Sequence, residues 1–292
     1  MMYTQRGLLA RIAALALAVT AAATGQAHAD DIVISYSPAT QRTANFSQLC
    51  AGATTCDYGT ETFANWTGGN FTSSFTTGAN SLAAGVSFTG QYAAIDGTTG
   101  SQWVSVAQNQ YGGTGGSNYP ELFGPGAVGG SPGQTESAYQ VTLSTTGLPA
   151  GKGINYFGVW ISALDAYNDL QIFNTSNQLV AEFNSPTLLA ALGGCFPNPY
   201  CGNPTNSFNG QDPGELFAYV NVFDLNGSIG SVVFYDNGAS GFESDNDTVA
   251  FINPIHVFGN SLIGAPEPAS LGVLGSGLIG LVMLGARRRR RV

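Results

Sequence analysis

The chain has 292 residues, among them 18 acidic and 9 basic side chains, 40 glycines and 4 cysteines. Arg6 and Arg11 lie near one end and Arg287, Arg288, Arg289, Arg290 and Arg291 at the other, so residues 30–264 keep only Arg42 and Lys152 against 17 acidic residues, a formal −15. That balance excludes nucleic acid as a partner, because neutralising phosphates takes a basic face, and it disfavours an anionic membrane surface.

Residues 1–29 place Arg6 and Arg11 around the start of an apolar run from Ile12 to Ala23, with Ala27-His28-Ala29 just before Asp30. This order predicts a signal peptide for the Sec machinery, cut by signal peptidase ahead of Asp30. The run is shorter than the ~20 residues that a membrane span needs.

Residues 30–264 read as one all-β domain, a single β-sandwich or jelly-roll-like unit, rich in Gly, Ser, Thr and Asn and poor in helix formers. Alternation between Gly, Pro, Asn and Asp breaks predicts strands at Ile32–Tyr36, Val86–Ala93, Gln102–Val106, Tyr139–Leu143, Tyr156–Ser162, Leu170–Phe173, Leu179–Phe183, Phe217–Phe223, Ser231–Tyr235, Thr248–Ile252 and Ile255–Phe258. Residues 111–133 are glycine-rich and read as a long loop. One helix is expected over Pro186–Leu192, capped by Ser185 and stopped by Gly193-Gly194.

Cys50 and Cys56 enclose five residues, as do Cys195 and Cys201. Four cysteines allow three pairings; the matched short spacings in loop-like sequence predict two local disulfides, which an oxidising compartment permits. Each closes a loop worth about 2 kcal/mol, enough to pin a loop without holding up the fold. A zinc site would want C-x₂₋₄-C with further Cys or His nearby, and the sequence offers none.

Nucleophilic catalysis of the Ser-His-Asp or Cys-His kind needs a placed histidine, and beyond residue 29 only His256 remains, in an alternating run where a surface position is expected. No nucleophile elbow, phosphate loop or H-E-x-x-H occurs. Glycoside hydrolysis asks only for two carboxylates about 5–10 Å apart, with Asp165, Asp169, Asp212, Glu215, Asp236, Glu243, Asp245 and Asp247 as the candidates.

Calcium is the cofactor that the pattern suggests. Glu243, Asp245, Asn246 and Asp247 fall within five residues, read as a loop, with Asp236 or the oxygen-rich turn of Asp165, Asn168 and Asp169 as neighbours through sheet pairing. A hard cation taking six to eight oxygens suits them, although the EF-hand spacing is absent and Asp and Asn are also ordinary turn formers. Trp66, Trp103, Tyr111 and Tyr119 are candidate rings for stacking on sugars, and Trp160 reads as core.

At the far end, Pro266-Glu267-Pro268 precedes an apolar stretch over Ala269–Ala286 and then the five arginines. Eighteen helical residues reach about 27 Å, near the thickness of the hydrocarbon core, and the arginines would hold the C-terminus on the cytoplasmic side. This tail, residues 265–292, resembles the PEP-CTERM sorting signal. The resemblance implies recognition by an exosortase, a membrane-embedded cysteine transpeptidase, after an inner-membrane stage, and delivery to the cell surface or an exopolysaccharide-associated matrix. An ordinary membrane anchor with a stiff Pro-Glu-Pro spacer is the alternative. Tyr156–Trp160, the Leu164–Asn168 turn, Leu170–Phe173, Ala218–Phe223 and Gly241–Asn246 resemble a recurring domain of exosortase-dependent surface proteins, a family with no activity to carry over. The expectation is a non-enzymatic surface or matrix protein, structural, adhesive or in contact with carbohydrate; the rival is a surface-anchored carbohydrate-active enzyme working through a carboxylate pair.

Overall fold

Alternating sequence between glycine and asparagine breaks gives strands, and the computed structural model, which describes residues 31–261 apart from 116–117, 128–129, 131 and 196, is built almost entirely from them. The expected signal peptide and sorting tail lie outside the described residues. In chain order the elements are β1 (Ile32–Tyr36), α1 (Phe46–Leu49), β2 (Thr55–Glu61), β3 (Phe71–Ser73), β4 (Asn80–Ser81), β5 (Ser87–Ile95), β6 (Trp103–Ala107), β7 (Asn118–Phe123), β8 (Ser137–Thr146), β9 (Tyr156–Leu164), β10 (Asn168–Asn174), β11 (Leu179–Asn184), α2 (Ser185–Leu192), a 3₁₀ turn (Asn206–Phe208), β12 (Leu216–Asp224), β13 (Ile229–Asp236), β14 (Gly241–Asn253) and β15 (Asn260–Ser261).

The strands pair antiparallel in two sheets. The smaller runs β11-β10-β13-β8-β5-β3, and the larger runs β15-β1-β12-β9-β14-β2-β4, with β7 also on β14 and β6 on β7. Between them Phe157, Val159 and Ile161 of β9, Val220 and Val222 of β12, and Val249 and Phe251 of β14 meet Tyr139 and Val141 of β8, Leu170 and Ile172 of β10, and Val232 and Phe234 of β13. The two-sheet, all-β sandwich read from composition is therefore present. Stacked rings run through this core from Trp103 to Tyr139, at 4.9 Å, and on to Phe234, at 4.4 Å.

The larger sheet is covered on its outer face as well. Tyr156, Trp160, Phe217, Tyr219, Phe223, Ala250 and Ile252 point away from the sandwich core into a second cluster, closed by Ala44, Leu49 and Phe258. Every residue of β9 and β12 is buried in consequence, which is why both strands read as continuous apolar runs rather than alternating ones. The smaller sheet keeps an open outer face: β8 alternates from Val141 onward, with Thr142 and Ser144 exposed.

Both expected disulfides are formed, Cys50 to Cys56 with Cα atoms 5.5 Å apart and Cys195 to Cys201 with 5.4 Å. The first pins α1 and its loop to β2, over the second cluster. The helix at 185–192 is present, but Asn184 caps it, accepting from the Thr187 N–H, and Ser185 is its first residue; Gly193, at φ 81°, ends it as expected.

Three expectations are corrected. Ile255–Phe258 is not a strand: Pro254 cannot donate to a ladder, and Phe258 instead packs on Phe223 while its carbonyl accepts from Ser35 Oγ. His256 is exposed there, as expected. The glycine-rich 111–133 stretch contains β7. Pro120 is tolerated because β14 pairs with β7 only over Glu121–Phe123. The acidic segment 243–247, expected as a loop, lies inside β14, with Glu243, Asp245 and Asp247 all buried.

Candidate functional site: buried carboxylates along β14

β14 pairs with β9 along one edge. Its other edge is divided, Gly241–Glu243 against β7 and Asp247–Asn253 against β2. A register shift between Asp245 and Thr248 separates the two halves, and Asn246 takes φ 53° there, a conformation that asparagine tolerates better than most residues. The shift sends the carboxylates of the segment to different partners.

Glu243 stands directly opposite Glu121 of β7. Like charges in that position destabilise a sheet, so the close approach of the two carboxyl groups favours the protonated form of one of them. Burial first, then the charge of Glu121, pushes Glu243 well above the usual carboxylate range. Burial also raises Glu121, against the lowering effect of its hydrogen bonds. Glu243 Oε2 has no partner. Gly241 makes the approach feasible: a Cβ there would lie 2.6 Å from Glu243 Oε1 and 3.0 Å from Glu121 Oε1.

Asp245 is enclosed elsewhere, its Oδ2 accepting from Thr114 Oγ1 at 2.8 Å and its Oδ1 from the Asn246 N–H at 2.7 Å; burial lifts it to about 7. Asp247 faces the inter-sheet core, where its Oδ2 accepts from the Tyr92 hydroxyl at 2.9 Å and its Oδ1 has no partner. It lies opposite Glu61 of β2, a second acid-on-acid pairing, and burial drives it well above the ordinary range. Glu61 is served by three donors, Phe63 N–H, Ser73 Oγ and Thr77 Oγ1.

Asp236, at the end of β13, is fully buried; Oδ1 accepts from the Gly238 N–H at 2.8 Å, Oδ2 has no partner, and burial with the nearby Asp165 charge lifts it to about 7. Sheet pairing does bring the 165–169 turn alongside: Asn168 stands opposite Asp236 and donates to the Gly241 carbonyl at 3.0 Å. Asn168 Oδ1 also accepts from the Asp165 N–H, the turn-forming role. Asp169 is turned instead towards Glu182 of β11, and burial first, then that neighbouring acid, lifts it to about 7.

The candidate ligands thus fall in separate places: Asp245 and Asp247 are sealed in, while Glu243 and Asp165 line a surface pocket of about 220 Å³ with Glu121, Glu215 and Tyr111. Burial first, then Asp212 and Asp165, raises Glu215 to about 7. Among the described residues no three His, Cys, Asp or Glu side chains are already gathered to hold a metal ion. Glu121 and Glu61 escaped sequence reasoning, the first because glycines flank its strand and the second because Asp57 and Gly59 hide the alternation of β2.

Of the four rings proposed for sugar stacking, Trp66, Trp103 and Tyr119 are buried and belong to the packing, as Trp160 does. Tyr111 is 41% exposed, at the rim of the carboxylate pocket. Among the described residues no helix is long and apolar enough to cross a membrane.

No family model matches the chain, and no curated protein matches it. Among solved structures, the K3 cleaved adhesin domain of Lys-gingipain from Porphyromonas gingivalis W83 aligns with 67% of this chain and 99% of its own length, at 13% identity and a TM-score of 0.34. The K2 cleaved adhesin domain of Lys-gingipain aligns with 62% and 98%, at 13% identity and a TM-score of 0.31. Likenesses at this level bear on neither ligand nor activity.

Proposed function

We propose that the chain is an exported surface or extracellular-matrix protein with a structural, adhesive or carbohydrate-contact role, sorted by an exosortase through Pro266-Glu267-Pro268 and its arginine tail. The observation that carries the reading is a β-sandwich with two locally disulfide-pinned loops, set between a leader-like sequence and that tail. Disulfides persist in oxidising compartments.

Any carbohydrate contact is best placed at Tyr111, the exposed ring beside acceptor carboxylates. Two experiments test the reading. Replacing Glu267, or deleting Arg287–Arg291, should leave uncleaved precursor in the inner membrane; normal surface delivery of both variants would refute exosortase sorting. A glycan array on the exported protein should lose any signal in Tyr111→Ala, and turnover of a glycan by the wild type would instead establish the enzyme.

A further inference from the structure

Two acid-on-acid pairings flank β14, and they differ in one respect. Glu61 and Asp247 are sealed between the sheets with neutral donors, whereas Glu121 and Glu243 open onto a pocket that two further carboxylates, Glu215 and Asp165, also line. No lysine or arginine lines it. Arg42 donates to Thr205 Oγ1, and Lys152 borders other pockets. Four carboxylates therefore share one concavity without a cationic side chain.

A cluster of acids is by itself only a solvated surface, but Glu243 is 4% exposed and its Oε2 has no hydrogen-bond partner. A buried oxygen left without a donor marks a missing partner. The backbone is shaped to the same end: at Gly241 any Cβ would occupy the space over which the Oε1 atoms of Glu121 and Glu243 converge. Strand pairing fixes these two residues opposite each other, while Asp165 directly follows β9 and Glu215 directly precedes β12. The pocket, at about 220 Å³, has room for an ion and several waters.

We propose that this pocket binds a calcium ion through the carboxylates of Glu121 and Glu243, with Glu215, Asp165 and water completing the shell. Calcium takes six to eight oxygens in flexible geometry and accepts mixed carboxylate and water shells. Magnesium demands a stricter octahedron and gives up water reluctantly. The ion bridges the two glutamates that strand pairing sets opposite each other, and Glu215 and Asp165 turn towards it from the same pocket wall. The site differs from the one expected from sequence: it keeps Glu243, adds Glu121 and Glu215, and leaves out Asp245 and Asp247. It stands whether or not Tyr111 touches carbohydrate.

The test uses the full chain in detergent at neutral pH, with calcium titrated calorimetrically and melting followed in calcium or chelator. Wild type should half-saturate on the order of 10⁻⁴–10⁻³ M, the range of extracellular modules, and its Tm should rise by about 3–6 °C at ten times Kd. Glu243→Gln and Glu121→Gln should each abolish the rise. In chelator Glu243→Gln should melt no lower than wild type, because the amide keeps the side chain's shape and removes one of two directly opposed acids, so loss of response is separable from loss of fold. Asp245→Asn should keep the calcium response. No calcium heat and a Tm indifferent to chelator would overturn the site, as would an undiminished response in both glutamine variants.

Discussion

Replacing Asp236 by asparagine isolates the energetic consequence of burying carboxyl groups in a domain so short of cations. The side chain is fully buried, one oxygen accepts from the Gly238 N–H, and the other has no partner. Its folded value of about 7, against an ordinary 3.8, means that the native state holds a proton that the unfolded chain releases. The sign follows: this group's contribution to stability is complete below about pH 4 and is lost as pH rises towards about 7, at roughly 1.4 kcal/mol per pH unit and at most about 4 kcal/mol in all. Asparagine keeps the acceptor for Gly238 and places an N–H where the acid proton sits. Asp236→Asn should therefore match wild type at about pH 4 and exceed it at about pH 8, with a pH slope shallower by one proton. For a urea m-value of about 3 kcal/mol/M, one proton corresponds to a midpoint difference of about 0.5 M per pH unit. Urea melts in chelator, followed by fluorescence of the three buried tryptophans, would measure it. Parallel pH dependences for the two proteins, or wild-type stability that rises between about pH 5 and about pH 8, would refute the reasoning.

Other consequences can be checked in the same assay. Tyr92→Phe removes the donor to Asp247 Oδ2 and should cost about 1–3 kcal/mol, the penalty of a buried acceptor left unmade. Phe157→Ala, in the centre of the inter-sheet core, should cost about 3–5 kcal/mol; a smaller loss would mean that the sheets can close over the gap. Gly59→Ala should destabilise β2, because its Cβ would collide with the Phe75 carbonyl oxygen. Cys195→Ser with Cys201→Ser should cost only about 2 kcal/mol, and loss of folding would show that the loop carries more than its closure entropy.

Legibility in the sequence followed burial on one or two faces. β1, β10, β11 and β13 were readable because apolar residues alternate between clear breaks, and β9 and β12 because a continuous apolar run such as Tyr156–Trp160 suits only a strand covered on both sides. β2 was not readable: its Cys56, Asp57 and Gly59 carry no pattern, and pairing with β14 decides its conformation. The acidic run in β14 misled for the opposite reason, since Asp and Asn usually mark turns. Only tertiary pairing, with protons or hydroxyl donors to serve the carboxyls, places that run inside a sheet. Three of the four pocket carboxylates were legible, Glu243, Asp165 and Glu215. Its fourth member needed the register that sets Glu121 opposite Glu243.

The position of β14 also orders events in time. The larger sheet is assembled around a strand that comes almost last in the described chain, with β9 on one side and β2 and β7 on the other. Until residues 241–253 are available, β9 lacks one neighbour, and β2 and β7 have no common strand to join. Pairings so distant along the chain close slowly, so a chain lacking residues 241–253 can pair β1, β12 and β9 but cannot join β2 and β7 to them. In the export route proposed above that delay would be useful: the larger sheet becomes able to close only once nearly the whole domain has emerged, so its complete closure on the wrong side is disfavoured by topology.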